Sequence, residues 1–276
     1  MSAALQYTQR WREGAERWVP HRQVADTSRM EAALIEDDTT ASAFVTTHHY
    51  SASYPAARLR VGLYDRGHLV GVAVYSEPGN VRTIPAWSQG MYTRGEGVDL
   101  GRFVLLDEVG FNAESWFFAR ARRLLREHKP EVRMLLATSD PVPRRTSDGR
   151  VVMTGHVGQI YQATNARYLG RTSRRALHLD RGGRVVSPRA ISKIVSGCRG
   201  HVYARALLEE ASATRQRDEE DARAWVARAR AELQRVSHPG NHVYAWPMTR
   251  RDSVPRGMRA PRQIDPVQMG LMGGGS

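Results

Sequence analysis

The sequence predicts an α/β protein: a mixed sheet flanked by helices, with a basic, partly helical C-terminal extension. Three observations carry this. Residues 58–76 read RLRVGLYDRGHLVGVAVYS, two alternating runs around an Asp-Arg-Gly turn, which is the pattern of a β-hairpin. Residues 98–110, 112–128 and 131–138 then read as strand, helix and strand, the unit that builds a parallel pair into a sheet. Beyond about residue 185 the apolar strand pattern gives way to basic and amphipathic stretches. The expected division is therefore an α/β domain over 1–185 and an extension over 186–276.

In chain order, residues 1–30 read as a short helical or irregular arm anchored by Trp11 and Trp18. Residues 30–37 read as a short helix and 37–40 as a turn. AFVTTHHYSASYP, at 43–55, passes from apolar residues into a polar aromatic cluster. The second arm of the hairpin, LVGVAVYS, is almost wholly apolar, as in a central strand buried on both faces. Residues 77–97 form a Pro/Gly-rich loop of a length that often carries function. Asn112 reads as the N-cap of the helix, Phe117, Ala121, Leu124 and Leu125 as its inner stripe, and Pro130 as its end. Residues 139–150 are a polar loop with two prolines.

GHVGQIYQATNARYLG, at 155–170, is the densest stretch of hydrogen-bonding and glycine residues in the chain. No single apolar period accounts for it. Residues 160–168 fit a short helix with Ile160, Ala163 and Tyr168 inward. RRALHLD at 174–180 reads as a last strand. Residues 219–235 form an amphipathic helix with Ala222, Trp225, Val226, Ala229 and Leu233 on one face. Residues 238–248 read as an ordered turn with docking aromatics, and from 249 onward, through GLMGGGS, the chain reads as a flexible tail.

A chain of 276 residues can bury its own core without staples. Its one cysteine, Cys198, excludes an internal disulfide and a cysteine-based zinc site, and suits a reducing cytosol. No apolar run is long enough for a transmembrane helix, and the N-terminus lacks the apolar core of a signal peptide. A cytoplasmic protein without a membrane partner is expected. The net charge is +13, and nearly all of the basic excess is arginine. Codon bias explains arginine over lysine but not basic over acidic. The expected partner is DNA or another nucleic acid. Residues 164–200 hold nine basic side chains against one acid. Arg167, Arg171, Arg174 and Arg175 are the candidates there for gripping phosphates.

His49 and Tyr50 lie beside an apolar run. Asp140 follows a predicted buried strand, at the end where sites collect in α/β sheets. Tyr161 comes later, in the glycine-rich stretch. One imidazole, one carboxylate and two phenols can form an acid–base set or serve as N/O ligands of a transition metal. Each also has a plain structural reading: His49 as a core histidine bonded to backbone, Asp140 as a turn starter before Pro141. Arg102, within an apolar strand, needs Asp140, a ligand or a solvated edge to balance its charge. Asn112 and Ser115, at a helix N-terminus, can donate to an anion. Tyr54, Trp87 and Tyr92 are candidates to stack on a base.

The stretch at 155–170 resembles the GTIYQAANF-type segment of the phage Mom DNA-modification proteins, a group placed near the GNAT acyltransferases. Three upstream pieces match in order: HYS at 49–51, GRFVLLDEVGFNAESWFFAR at 101–120 and SD at 139–140. The similarity runs from about residue 46 to 177. It implies a GNAT-like fold and modification of adenine N6 in DNA to a carbamoylmethyl derivative that blocks restriction. It implies catalytic and iron-associated positions at His49, Tyr50, Asp140 and Tyr161, with Arg102 and Ser115 serving activity or small-molecule binding. The donor, acyl-CoA or a related small molecule, stays open. VGFNAES carries only Gly110 where coenzyme A enzymes carry a glycine-rich loop, and 141–150 is longer than in the family pattern. Two other readings remain: a GNAT acyltransferase acting on a small amine or a hypermodified base, and a non-catalytic basic DNA-binding protein.

Overall fold

The computed structural model describes residues 7–20 and 24–262. The elements are, in order, β1 (Tyr7–Arg12), β2 (Ala15–Pro20), β3 (Met30–Leu34), α1 (Asp38–His48), β4 (Ala57–Asp65), β5 (His68–Ser76), α2 (Thr83–Trp87), β6 (Gly97–Leu105), α3 (Ala113–His128), β7 (Met134–Ser139), β8 (Arg144–Arg145), β9 (Val151–Met153), α4 (Gln159–Ala163), β10 (Arg167–Arg171), β11 (Arg175–Leu179), α5 (Pro188–Ser196), α6 (His201–Ser212), α7 (Ala222–Ala231), β12 (Gln234–His238) and β13 (His242–Pro247). They fall into two interleaved units. Unit 1 is Met1–Pro141, His156–Thr172 and Asn241–Ser276; unit 2 is Val142–Gly155 and Ser173–Gly240. The sequence placed one boundary at 185, whereas the chain crosses between the units four times.

Unit 1 is built on a seven-stranded sheet in the order β10-β13-β7-β6-β5-β4-β3. Every neighbouring pair is antiparallel except β6 and β7, which α3 joins as a crossover. This is the mixed, GNAT-like α/β sheet that the sequence predicts. The parallel pair is short: Gly97 faces Met134, Val98 faces Leu135 and Asp99 faces Leu136, after which β6 and β7 cease to pair. Just beyond that fork, the β5–β6 register shifts, with Tyr75 opposite Leu100 and Val74 opposite Arg102, which leaves Gly101 as an extra residue. Such a bulge bends a strand and re-aims the side chains that follow it.

One face of the sheet packs under α3. Phe117, Phe118, Ala121 and Leu125 meet Leu63, Ala73, Tyr75, Leu135 and Trp246 in one core. The opposite face of β7 and β13, through Met134, Leu136, Val243 and Ala245, is covered by Ile84 and Tyr92 from the 77–97 loop and by Val254. That loop is therefore ordered, with α2 inside it.

Five expectations are corrected. Residues 30–34 form an edge strand rather than a helix, because pairing with β4 outweighs the helix propensity of MEAAL. The N-terminal arm is the β1–β2 hairpin, turning on Glu13 and Gly14, both at positive φ; the side chains of Trp11 and Trp18 lie outside the described parts. Residues 37–40 open α1, where Asp37 accepts the Thr40 N–H at 2.8 Å. Most consequential, 242–247 is a strand buried between β10 and β7, not a docking turn. In 155–170 the helix is only Gln159–Ala163, and β10 follows. The expected flexible end, GLMGGGS, lies outside the described residues.

Unit 2 has its own core. Trp225, Val226 and Ala229 of α7 pack with Ile191 and Ile194 of α5 and Leu208 of α6. Asp221 caps α7 by accepting the N–H groups of Arg223 and Ala224. The β11–β12 and β8–β9 pairs complete it. Among the described residues, no helix is long and apolar enough to cross a membrane.

Candidate active site

The fork between β6 and β7 is where the predicted residues of unit 1 gather. Asp140 follows β7 directly and is buried. Its carbonyl accepts the His156 N–H at 2.8 Å, so the chain re-enters unit 1 against the end of this strand. Since α3 connects two parallel strands, its N-terminus, with Asn112 and Ser115, lies at the same end of the sheet as Asp140.

From His156 the chain reaches Gly158, which adopts φ +69°. A Cβ there would lie 2.6 Å from the Tyr161 ring, 2.8 Å from the Tyr244 ring and 3.1 Å from the Ser139 hydroxyl. Glycine is therefore required by conformation and by space. The segment is pinned to β13. The Tyr244 hydroxyl donates to the Val157 carbonyl, Gln162 donates to the Tyr244 hydroxyl at 3.2 Å, and the Trp246 indole N–H donates to the Thr164 carbonyl at 2.9 Å. Tyr161 sits between these rings, 5.4 Å from Tyr244 and 5.6 Å edge-on from Trp246. Burial raises its phenol well above the ordinary tyrosine range, and Tyr50 and Tyr244 add to the rise.

His49 ends α1, its N–H donating to the Val45 carbonyl at 2.9 Å. The buried ring stacks on Tyr50 with centroids 4.3 Å apart. Its Nδ1 accepts the Ser51 N–H at 3.2 Å and lies 2.9 Å from the Ser51 hydroxyl. Accepting an amide hydrogen at Nδ1 places the neutral ring's proton on Nε2. Tyr50 is near both Tyr161 and Arg102. Burial lowers the Arg102 guanidinium and Tyr50 opposes that. Arg102 donates to the Ser53 carbonyl at 2.8 Å, to the Ser53 hydroxyl at 2.7 Å and to the Gly101 carbonyl. It makes no ion pair with Asp140. A half-buried guanidinium held by neutral oxygens keeps its charge available for an anionic group.

The structure thus brings His49, Tyr50, Arg102 and Tyr161 together and places Asp140 at the strand end that anchors the Tyr161 segment. Asn112 occupies the N-cap of α3 at φ +73°, and its side chain forms no cap; Ser115 donates to the Asn112 carbonyl at 3.1 Å. The turn before α3 is held by a residue that sequence reasoning missed. Arg10 donates to the Val109 and Gly110 carbonyls at 3.2 and 3.3 Å and pairs with Glu114. Burial brings its pKa down to about 10, with Asp107 opposing.

Asp99 was missed as well. It stands at the last paired position of the fork, and burial, reinforced by Glu77, pushes its carboxyl up to about 7. Its signal was an acid inside the apolar run GVDLGRFVL. Of the candidate stacking aromatics, Tyr92 is buried: its hydroxyl accepts the Ser253 N–H at 2.8 Å and Arg133 covers its ring. Trp87 packs against the same cluster, and Tyr54 donates to Asp38 at 2.8 Å.

The four phosphate-gripping candidates divide. Arg167 and Arg171 are exposed on β10, the edge strand of unit 1, where Arg167 also donates to the Val254 carbonyl at 2.6 Å. Arg174 and Arg175 are exposed in unit 2.

The iron-associated set that the resemblance implies is one imidazole, one carboxylate and two phenols, His49, Asp140, Tyr50 and Tyr161. Among the described residues no three of His, Cys, Asp and Glu converge. His49 already uses Nδ1 as an acceptor, and burial favours the protonated phenol of Tyr161 over the phenolate a metal would want. No step below runs through a metal.

The fold and site together define a mixed α/β protein whose sheet opens at its one parallel pair, with an imidazole, a carboxylate, phenols and a guanidinium held by neutral oxygens gathered there. The chain belongs to the Mom protein family, whose family model matches residues 32–251, a span that holds all of unit 2 and the β6–β7 fork. This membership supports a phage-type DNA modification protein. The chain is also similar to a tandem GNAT protein from the clavulanic acid biosynthesis pathway, solved without AcCoA, at 11% identity and a TM-score of 0.41, over 81% of this chain and 100% of that one. No curated protein matches it.

Proposed function

We propose that this chain is a transferase that modifies adenine N6 in DNA, adding a carbamoylmethyl or similar group that blocks restriction. The observation that carries the reading is the set at the fork. His49, Tyr50 and Tyr161 supply protonatable groups, and Arg102 holds a positive charge that makes no ion pair among the described residues. That charge suits an anionic part of a small-molecule donor. We assign Asp140, at the strand end, to taking the proton that N6 loses as its new N–C bond forms and the bond from that carbon to the donor breaks, the rest of the donor leaving with the bonding pair. Adenine N6 is paired within the duplex, so the base is reached in single strands or by flipping.

The turn before α3 favours this reading over a coenzyme A acyltransferase. A pyrophosphate needs N–H groups and positive potential there. Here the Val109 and Gly110 carbonyls turn to Arg10, and Glu114 adds a carboxylate to the first turn.

The test is mass spectrometry of nucleosides from the DNA of cells that express this chain, beside an Asp140→Ala variant. The expected result is a new adenine-derived mass that disappears in the variant. Tight coenzyme A binding with unmodified DNA would instead select the acyltransferase, and unmodified DNA that is still bound would select the non-catalytic reading. Metal analysis of the purified protein, with and without chelation, tests whether iron belongs to the site.

A further inference from the structure

The positive charge is unequally spent. Unit 1 has 24 arginines and lysines against 19 acids, and at least nine of its arginines make ion pairs, among them Arg12 with Asp107, Arg29 with Asp65, Arg58 with Glu77, Arg60 with Asp38 and Arg133 with Asp252. Unit 2, much the shorter, has 17 against 9. There Arg228 pairs with Glu220, but Arg230 and Arg235 make no ion pair or side-chain hydrogen bond among the described residues.

These two arginines meet on one face. The β11–β12 register sets His178 directly opposite Arg235. Arg230, from the last turn of α7, lies near enough to His178 to act on it together with Arg235. Burial lowers the His178 imidazole first, and both guanidinium groups lower it further, with no carboxylate opposing them. Two guanidinium groups beside one uncharged imidazole leave a positive potential on this face, which suits an anion bound from outside. Next to it, the outer side of α7 carries exposed Ala224, Ala227 and Ala231 with Arg223 at its start, so an extended anion can come close to the helix.

We propose that the face of unit 2 formed by β11, β12 and α7, through Arg230, Arg235 and His178, grips the phosphodiester backbone of duplex DNA. This rests on the reading of the chain as a DNA-modifying enzyme and adds a holding surface separate from the fork. Contacts of this type fix position without reading sequence. They hold the duplex while the reacting base is presented elsewhere.

The test is fluorescence anisotropy of the full chain with a labelled duplex across a potassium chloride series. Each phosphate contact contributes about 0.9 to the slope of log affinity against log salt. An Arg230→Gln/Arg235→Gln pair is expected to make that slope shallower by about 2. The lysine pair, Arg230→Lys/Arg235→Lys, keeps the charges and is expected to keep the slope. Arg123→Gln, on exposed α3, serves as a control and leaves it unchanged. Thermal melts establish that each variant is folded; if the glutamine pair does not fold, Arg235→Gln alone is expected to lower the slope by about 1. A folded glutamine variant with the parent's slope overturns the proposal while leaving base modification standing. So does tighter binding of duplex RNA that the same substitutions remove. A parent chain that neither binds DNA nor modifies it overturns both.

Discussion

Gly158 shows how a single position ties backbone to chemistry. Its left-handed conformation costs an L-residue about 1–2 kcal/mol, and its missing Cβ leaves room for the rings of Tyr161 and Tyr244. Gly158→Ala is expected to lose at least that much stability in urea titration and to reduce base modification more than a surface change of equal cost, because Tyr161 must move. Asp99 makes a prediction in pH. Its ordinary pKa of 3.8 rises to about 7 in the fold, so ionising it costs stability; the cost is absent below the unfolded value and complete above the folded one. Asp99→Asn is therefore expected to stabilise the protein by an amount that grows between about pH 4 and 7 and then levels off. Full burial would give about 1.4 kcal/mol per pKa unit; with the side chain partly solvated, a plateau on the order of 2 kcal/mol is expected. Denaturation midpoints across that range check it, and a difference independent of pH would refute it. His49, Tyr50, Arg102 and Asp140 could be singled out in the sequence as polar groups beside or within apolar runs, and Tyr161 in the glycine-rich stretch, while their roles came only from the resemblance. Arg10 was not, since one arginine among many in a polar arm carries no local mark of burial.

Among the elements, β13 decides whether the site exists. Trp246 belongs to the core beneath α3, meets Tyr161 edge-on and donates to the Thr164 carbonyl. Trp246→Ala is expected to cost about 3–5 kcal/mol, measurable as a large fall in thermal midpoint, with loss of activity in whatever fraction remains folded. The hairpin over 58–76, the strand–helix–strand unit and the amphipathic helix near 222–231 could be read from period alone, since each makes its partners locally. HVYAWP could not. Its six residues follow a proline and glycine turn and precede a tail, and only distant strands give them an extended conformation. The same applies to β3, where helix-forming residues serve as an edge strand. Non-local pairing leaves no periodic trace in a segment of five or six residues.

The chain forms two units between which it crosses four times, with the polar residues of the β6–β7 fork in one and the larger ratio of basic to acidic residues, 17 to 9, in the other. Net charge alone pointed to nucleic acid but could not show which arginines were already neutralised; ion pairing, a property of the fold, made that distinction. The position of β13 has a further consequence for how the protein is made. Met134 pairs with Pro247 and Ser139 with His242, while the opposite edge of β13 takes up β10. As the chain leaves the ribosome, β7 and β10 are complete long before the strand between them is synthesised, and until then both present unpaired edges. Those edges are open to other chains for the time it takes to translate unit 2, which makes premature termination, rather than heating, the circumstance in which this protein is most exposed to aggregation.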